Sequence, residues 1–316
     1  MVCRMFWRIL YGVSEIYFET ISLSTEELFL KTDGWKTTLM SWLQLSPIVL
    51  ILGFFLVLPI MAIVAVSFWE ATAFSYHPAF IFENYQYLFT SSVTYSVYLK
   101  TFIFTVITWF FTLSIGFTVA YFLAFHVRNL YMQIGLFLLC TIPFWTSNII
   151  RMISWIPFLG RNGIANNAFM SAGWIDRPLD WLLFSDFAVV LAFAHLFTLF
   201  MIVPIFNTMM RIDSSLIEAA RDAGANGFQI LTNIIIPLSK PGIMIGSIFV
   251  VTLVMGDFIT VRFMSGGQSA SVGRMISNEI GLLQYPSASA SAVVLLVTVL
   301  LMIAVMLRFV DIRREL

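Results

Sequence analysis

Six stretches of this chain are too long and too apolar to sit on the surface of a water-soluble domain. The clearest spans about residues 45–68 and contains SPIVLILGFFLVLPIMAIVAVSF, without one charged side chain. At 1.5 Å of rise per residue, about 20 such residues cross the ~30 Å hydrocarbon core of a bilayer. Lipid offers the backbone no hydrogen-bond partners, so each crossing must be a helix. Further runs at about 97–125, 130–155, 183–210, 243–264 and 288–310 repeat the pattern. The expected fold is an all-α integral membrane protein with six transmembrane helices. Composition agrees: 60% of residues are hydrophobic and 11% charged, against about 25% charged in an ordinary soluble domain.

Between the fourth and fifth spans lies a mixed-polarity segment that cannot lie in lipid, Ser214 to Gly242, reading SSLIEAARDAGANGFQILTNIIIPLSKPG. Ser215 followed three residues later by Glu218 predicts a capping box and the start of a short helix. Leu216, Ala219, Ala220 and Ala223 fall at helical spacing, and Gly224 stands where a left-handed stop residue is wanted. A second short helix, 228 to about 235, is expected to halt at Pro237, which lacks a backbone donor. The result is a helical hairpin with a small-residue face that another protein's groove could approach closely.

These residues resemble a known motif. Glu218-Ala219-Ala220, three residues, Gly224, nine residues, then Ile234-Ile235-Ile236-Pro237 is similar to the EAA loop of permease subunits of binding-protein-dependent type I ABC importers, with Ile236 in place of the usual Leu. Two other segments are similar to permeases for spermidine and putrescine: Ile142-Pro143-Phe144-Trp145-Thr146-Ser147 with Ile150-Arg151 and Gly163-Ile164-Ala165-Asn166, and Gly256-Asp257-Phe258 followed by Gly266-Gly267. The likeness covers about 45–316. Arg262 stands where the family often has Pro, which leaves a related amine, an amino-acid derivative or an anion open as the solute. The resemblance implies an ATPase-coupling role for Ser215, Glu218, Ala219, Ala220, Gly224, Ile234 and Pro237, the coupling helix lying in a groove of a cytoplasmic ATPase. It also implies a second permease chain, two ATPase subunits carrying ATP and Mg, a soluble solute-binding protein, and alternating access as the mechanism.

Within the spans, polar residues are sparse and therefore informative. Asp257 is read as lying about fourteen residues into a twenty-two-residue helix, where an ionised carboxylate costs about 3 kcal/mol unless it faces water or a partner. It is read either as lining the substrate path or as the partner of an arginine such as Arg151. Trp145, Thr146, Asn148 and Arg151 interrupt the far end of the third span. Arg151 there can snorkel or line the path. His195 in the fourth span is read as packed or pore-facing and not as a metal ligand, with no other His or Cys nearby in sequence.

Several function classes are excluded. There is no G-x-x-x-x-G-K-[ST] for nucleotide phosphates, no H-E-x-x-H and no G-x-S-x-G, so ATP hydrolysis is expected in a separate subunit and no cofactor or metal on this chain. Lys plus Arg equals Asp plus Glu at 17 each, and no basic cluster points to nucleic acid. Cys3 and Cys140 read as incidental thiols. Residues 1–44 are mixed and amphipathic, without a cleavage site, and read as an arm at the cytoplasmic or interfacial side; 156–182 reads as an outer loop. With both termini and the 126–129 and 211–242 loops inside, the basic residues there are Arg4, Arg8, Lys31, Lys36, Arg128, Arg211, Arg221, Lys240, Arg308, Arg313 and Arg314. That positive-inside bias places the termini and the coupling helix in the cytoplasm of a bacterial inner membrane. The rival reading is a channel or secondary transporter without an ATPase, for which inverted repeats or several intramembrane charges would speak.

Overall fold

The computed structural model describes residues 34–72 and 75–308, with residues 34–40 described as backbone only. Most of the arm, with Cys3, Arg4, Arg8 and Lys31, and the tail with Arg313 and Arg314 lie outside the described residues. Two units are distinguished, Met1–Ala62 and Ile63–Leu316. The first carries α1 (Gly34–Leu52), which starts within the stretch read as an arm, then a π-helical turn at Gly53–Val57 and the beginning of α2 (Leu58–Val66). Pro59 comes just after that turn, where the wider winding takes up its missing donor.

The second unit opens with the remainder of α2, followed by a two-residue antiparallel pair, β1 (Glu70–Ala71) and β2 (Tyr76–His77), and α3 (Glu83–Thr90). A 34-residue helix follows, α4 (Ser92–Phe125), capped by Ser91. Its buried residues Thr101, Phe104, Thr105, Thr108, Thr112, Gly116 and Ala120 recur every three or four positions, which is one helix face. Thr101, Thr105 and Thr112 donate to the carbonyls four residues back at 2.8–2.9 Å, so these buried hydroxyls stay satisfied away from water.

The third apolar run is not one rod. α5 (Leu130–Thr141) passes into a 3-10 turn at Ile142–Trp145 and resumes as α6 (Asn148–Leu159), then α7 (Ile164–Ser171), the two arms meeting at 90°. Pro143 ends the α-helical hydrogen bonding, Thr146 is extended, and Ser147 leaves the helical region at φ −57° and ψ 140°. The expectation of a continuous span over 130–155 is thus corrected, and so is the outer loop: much of 156–182 is helical, with Gly160 and Gly163 turning the chain between α6 and α7.

α8 (Asp186–Met209) is the central helix, packed against both α4 and α11 (Ile236–Gly256), which also pack against each other. Between them lie α9 (Ser214–Asp222), α10 (Gly227–Ile230) and a π-helical turn at Leu231–Ile235. After α11 come α12 (Ile259–Met264), α13 (Val272–Gly281) and α14 (Tyr285–Arg308). Helices associate in lipid by close packing and interhelical hydrogen bonds, because lipid is as apolar as they are. A Cβ added at Gly116 would stand 2.9 Å from Met201 Cβ, and one at Gly242 would stand 2.9 Å from Ile205 Cα. Trp109 Nε1 donates to Ser247 Oγ at 2.8 Å, fastening α4 to α11.

Among the described residues five helices are long and apolar enough to cross a membrane, and the count reaches six when the bent pair is taken as one crossing. The architecture is all-α and multi-pass, as its apolar runs require.

Candidate functional site

The segment between α8 and α11 folds by competition among local signals. Asp213, not Ser215, caps α9: its Oδ1 accepts from Ser215 N–H at 3.0 Å, so the helix starts two residues earlier than the capping box requires. Two candidate caps stand two residues apart, and the carboxylate is the stronger acceptor for a helix N-terminus. The Ser215 backbone and side chain hold Asp213 below the usual carboxylate range. A capping box does form, one helix later, where Asn226 Oδ1 accepts from Gln229 N–H at 2.9 Å and Gln229 Oε1 from Asn226 N–H at 2.8 Å.

α9 is amphipathic. Ile217 and Ala220 pack towards the core together with Ala225, while Leu216, Glu218, Ala219, Arg221, Asp222 and Ala223 are exposed. The small-residue face expected from the spacing is therefore split: Ala219 and Ala223 face outward, and Ala220 helps to seat the helix. Gly224 ends α9 at φ +86°, with Ala225 N–H bonded to Ala220 O and Gly224 N–H to Arg221 O, both at 2.9 Å. That is the Schellman pattern, which needs a residue at ease with positive φ.

Pro237 does not stop the second helix. The π turn at Leu231–Ile235, closed by Ile236 N–H on Leu231 O, widens the winding just before the proline, and a continuous helical run extends from Gly227 to Gly256. Ile234 is half-buried against the core at this turn.

Asp257 also stands elsewhere than the continuous-helix expectation put it. α11 ends at Gly256, and Asp257 lies in the break with φ −75° and ψ 130°. Its Oδ1 accepts from Thr260 N–H at 2.7 Å, capping the restart in α12, and the Asn148 side chain faces the same carboxylate. The two ion pairs among the described residues, Lys100–Asp186 and Arg161–Asp180, do not include Asp257 or Arg151, so the alternative Asp257–Arg151 pair is not formed. Asn148 is the first residue of α6. The bend in one apolar run and the break in another thus meet at Asn148 and Asp257.

A second grouping forms a few residues along α6. Thr146, Arg151, Trp155 and His195 line a hollow of about 310 Å³, and Arg151 and His195 also line a neighbouring one of about 250 Å³. Trp155 Nε1 donates to His195 Nδ1 at 3.2 Å with the rings edge to face, so a neutral His195 carries its proton on Nε2. Arg151 Nε and Asn148 Oδ1 are buried without a protein partner. Trp145 is 77% exposed and lines neither hollow.

Trp155 and Thr260 went unnoticed in the sequence, although each left a trace: Trp155 is four residues from Arg151 on one helix face, and Asp257-x-x-Thr260 has capping spacing. Glu279 was also missed. It accepts from Ser287 Oγ at 3.0 Å and Ser291 Oγ at 3.1 Å, joining α13 to α14.

A family model described as "Binding-protein-dependent transport system inner membrane component" matches residues 112–313, which include α9, α10 and both helix breaks. The spermidine/putrescine transport system permease protein PotB of Haemophilus influenzae is 33% identical over 81% of this chain and 88% of its own length. PotB of Escherichia coli K12 is 30% identical over 85% of this chain and 94% of its own. Among solved structures, a chain of a bacterial alginate ABC transporter in complex with an alginate-bound periplasmic protein superposes with a TM-score of 0.74 at 17% identity, covering 89% of this chain and 98% of that one. At that identity the likeness is one of fold.

Proposed function

We propose that this chain, which belongs to the family of binding-protein-dependent transport system inner membrane components, imports a small polar amine by alternating access, its exposed α9 acting as the lever for an ATPase. It is an ABC transporter permease, a multi-pass component of the inner membrane that carries solute and leaves ATP hydrolysis to a separate subunit. The solute is a polyamine or a related amine, in keeping with the spermidine/putrescine permeases to which the chain is similar. Its partners are a second permease chain, two cytoplasmic ATPase subunits with ATP and Mg, and a soluble solute-binding protein. Both termini and α9 face the cytoplasm, the side favoured by Arg128, Arg211, Arg221, Lys240 and Arg308.

The observation that carries this reading is the construction of the coupling segment. α9 keeps Glu218, Ala219 and Ala223 in solvent, is seated by Ile217 and Ala220, and is stopped by Gly224. The short connection 210–213 ties it to α8, and the π turn ties it to α11. A partner that pulls on α9 therefore moves the helix bearing His195 and the helix that ends at Asp257. Thr146, Asn148, Arg151 and Trp145 belong to the bent run that faces these two, and with Asp257 and His195 they form the proposed substrate path.

The test is uptake of labelled putrescine and spermidine into proteoliposomes holding the complete transporter. Accumulation is expected only with internal ATP and the cognate binding protein; accumulation driven by an ion gradient without ATP would favour the secondary-carrier reading. Asp257→Asn keeps an acceptor for Thr260 N–H, so assembly should survive while uptake falls about tenfold, roughly 1.4 kcal/mol. Uptake at the parental rate would reduce Asp257 to a helix cap.

The α9 cap yields a pH prediction. Asp213 is held ionised below its unfolded pKa, so its capping contribution is present above the ordinary carboxylate range and is lost as pH falls through the lower folded value. Asp213→Asn should keep α9 protected in amide exchange and remove that acid dependence. An equal loss of protection at low pH in both proteins would show that another group drives it.

A further inference from the structure

At the end of the helix bundle farthest from α9, a groove of about 470 Å³ runs along the seam between α4 and α8. One wall is a row on α4, Leu99, Ile103, Ile107 and Phe111, each 38–49% exposed; Phe187 and Val190 of α8 form the other. Twelve residues of helix give the row a length of about 18 Å, close to the ~15 Å hydrocarbon depth of one bilayer leaflet. At its mouth stand two opposite charges, Lys100 Nζ and Asp186 Oδ2, 3.1 Å apart, with 35% and 54% of the side chains exposed. Trp181, 53% exposed, packs edge to face on Phe187 beside the same mouth, and such aromatics favour the headgroup level of a membrane.

We infer that this groove holds one zwitterionic phospholipid with a primary ammonium headgroup, of the phosphatidylethanolamine type, its phosphate on Lys100, its ammonium on Asp186 and an acyl chain along the α4 row. Charge complementarity selects this occupant. Lys100 spends one of its three donors on Asp186, and the carboxylate has further lone pairs, so the pair can be extended into a ring of alternating charges by a ligand carrying both signs. An anionic lipid without an amine would satisfy Lys100 and repel Asp186. A choline headgroup has no N–H to donate.

The shape of the wall argues for lipid over a protein helix. Helices that pack closely in membranes meet through small residues, and α4 turns Gly116 and Ala120 inward to the core. The groove is lined instead by large aliphatic and aromatic side chains, without glycine or alanine.

Asp186 also accepts from Ser269 Oγ in the loop that leads into α13. Loss of the headgroup ammonium would therefore loosen a contact shared by α4, α8 and that loop.

The test uses the complete transporter, purified in mild detergent and examined by native mass spectrometry after exchange into nanodiscs of phosphatidylethanolamine, phosphatidylcholine or phosphatidylglycerol. One phosphatidylethanolamine per copy is expected to survive delipidation, with at least tenfold less of the other two. Lys100→Met and Asp186→Asn should each lower that retention at least tenfold while total loosely held lipid stays constant. Should either variant fail to co-purify with its partner subunits, Ile107→Trp fills the groove and leaves the charge pair in place; it should expel the lipid from an assembled transporter. Equal retention of the three lipids, retention unaffected by Ile107→Trp, or a cysteine crosslink placing a protein segment against Ile103 would overturn the assignment.

Discussion

Glu218→Lys should leave the chain inserted and assembled while ATP-driven uptake falls about a hundredfold, on the order of 2.7 kcal/mol of lost coupling. Glu218 is exposed on α9, and the contacts that seat the helix come from Ile217 and Ala220. Charge reversal there leaves packing intact but alters the surface offered to a partner, where juxtaposed like charges cost several kcal/mol. The decisive comparison is uptake against ATP hydrolysis in the same proteoliposomes. Hydrolysis should persist, uncoupled from accumulation. Wild-type uptake in the variant would remove α9 from the coupling route, whereas a chain that no longer assembles would assign Glu218 a structural duty that its exposure does not suggest.

Gly242→Val should have the largest effect on stability. An added Cβ there would lie 2.5 Å from Pro204 O and 2.9 Å from Ile205 Cα, both backbone atoms that no rotamer change can move. Overpacking of this kind costs about 1–3 kcal/mol or more, and it falls on the crossing of α8 and α11. Gly246→Ala is the milder comparison: an added Cβ meets the flexible Met201 side chain at Sδ, 2.7 Å away, while its backbone neighbours Met201 Cα and Phe200 O stand farther off at 3.2 and 3.3 Å. Thermal unfolding of the purified chain should show a clear drop for Gly242→Val and a much smaller one for Gly246→Ala. Equal melting of the two variants would mean that the helices separate here without strain.

What could be foreseen from the residues follows a physical division. The apolar runs were legible because lipid permits one solution for a spanning backbone. The end of α9 at Gly224 was legible because left-handed backbone strongly favours glycine. The two helix interruptions were not. Residues 243–264 read as one apolar rod, and nothing in that run announces that Asp257 would meet Asn148, brought there from more than a hundred residues away. Pro143 stood in plain view, yet a proline alone does not say whether a helix kinks gently or turns through a right angle. The misplaced α9 cap has a simpler origin, since Asp213 and Ser215 compete for the same backbone donors. Among the path candidates, the sequence named residues that the fold sorts into two groups, Asn148 with Asp257 and Thr146 with Arg151 and His195, and it left out the Trp155 indole that orients the histidine.

The π turn at Leu231–Ile235 has a mechanical corollary. A helix wound there with one residue to spare can hand that surplus along to the next turn at the expense of one or two hydrogen bonds, advancing the chain on one side by about 1.5 Å and rotating it by about 100°. Such a ratchet step between α10 and α11 would turn α9 relative to α11 without unfolding either, and would give that movement a fixed size.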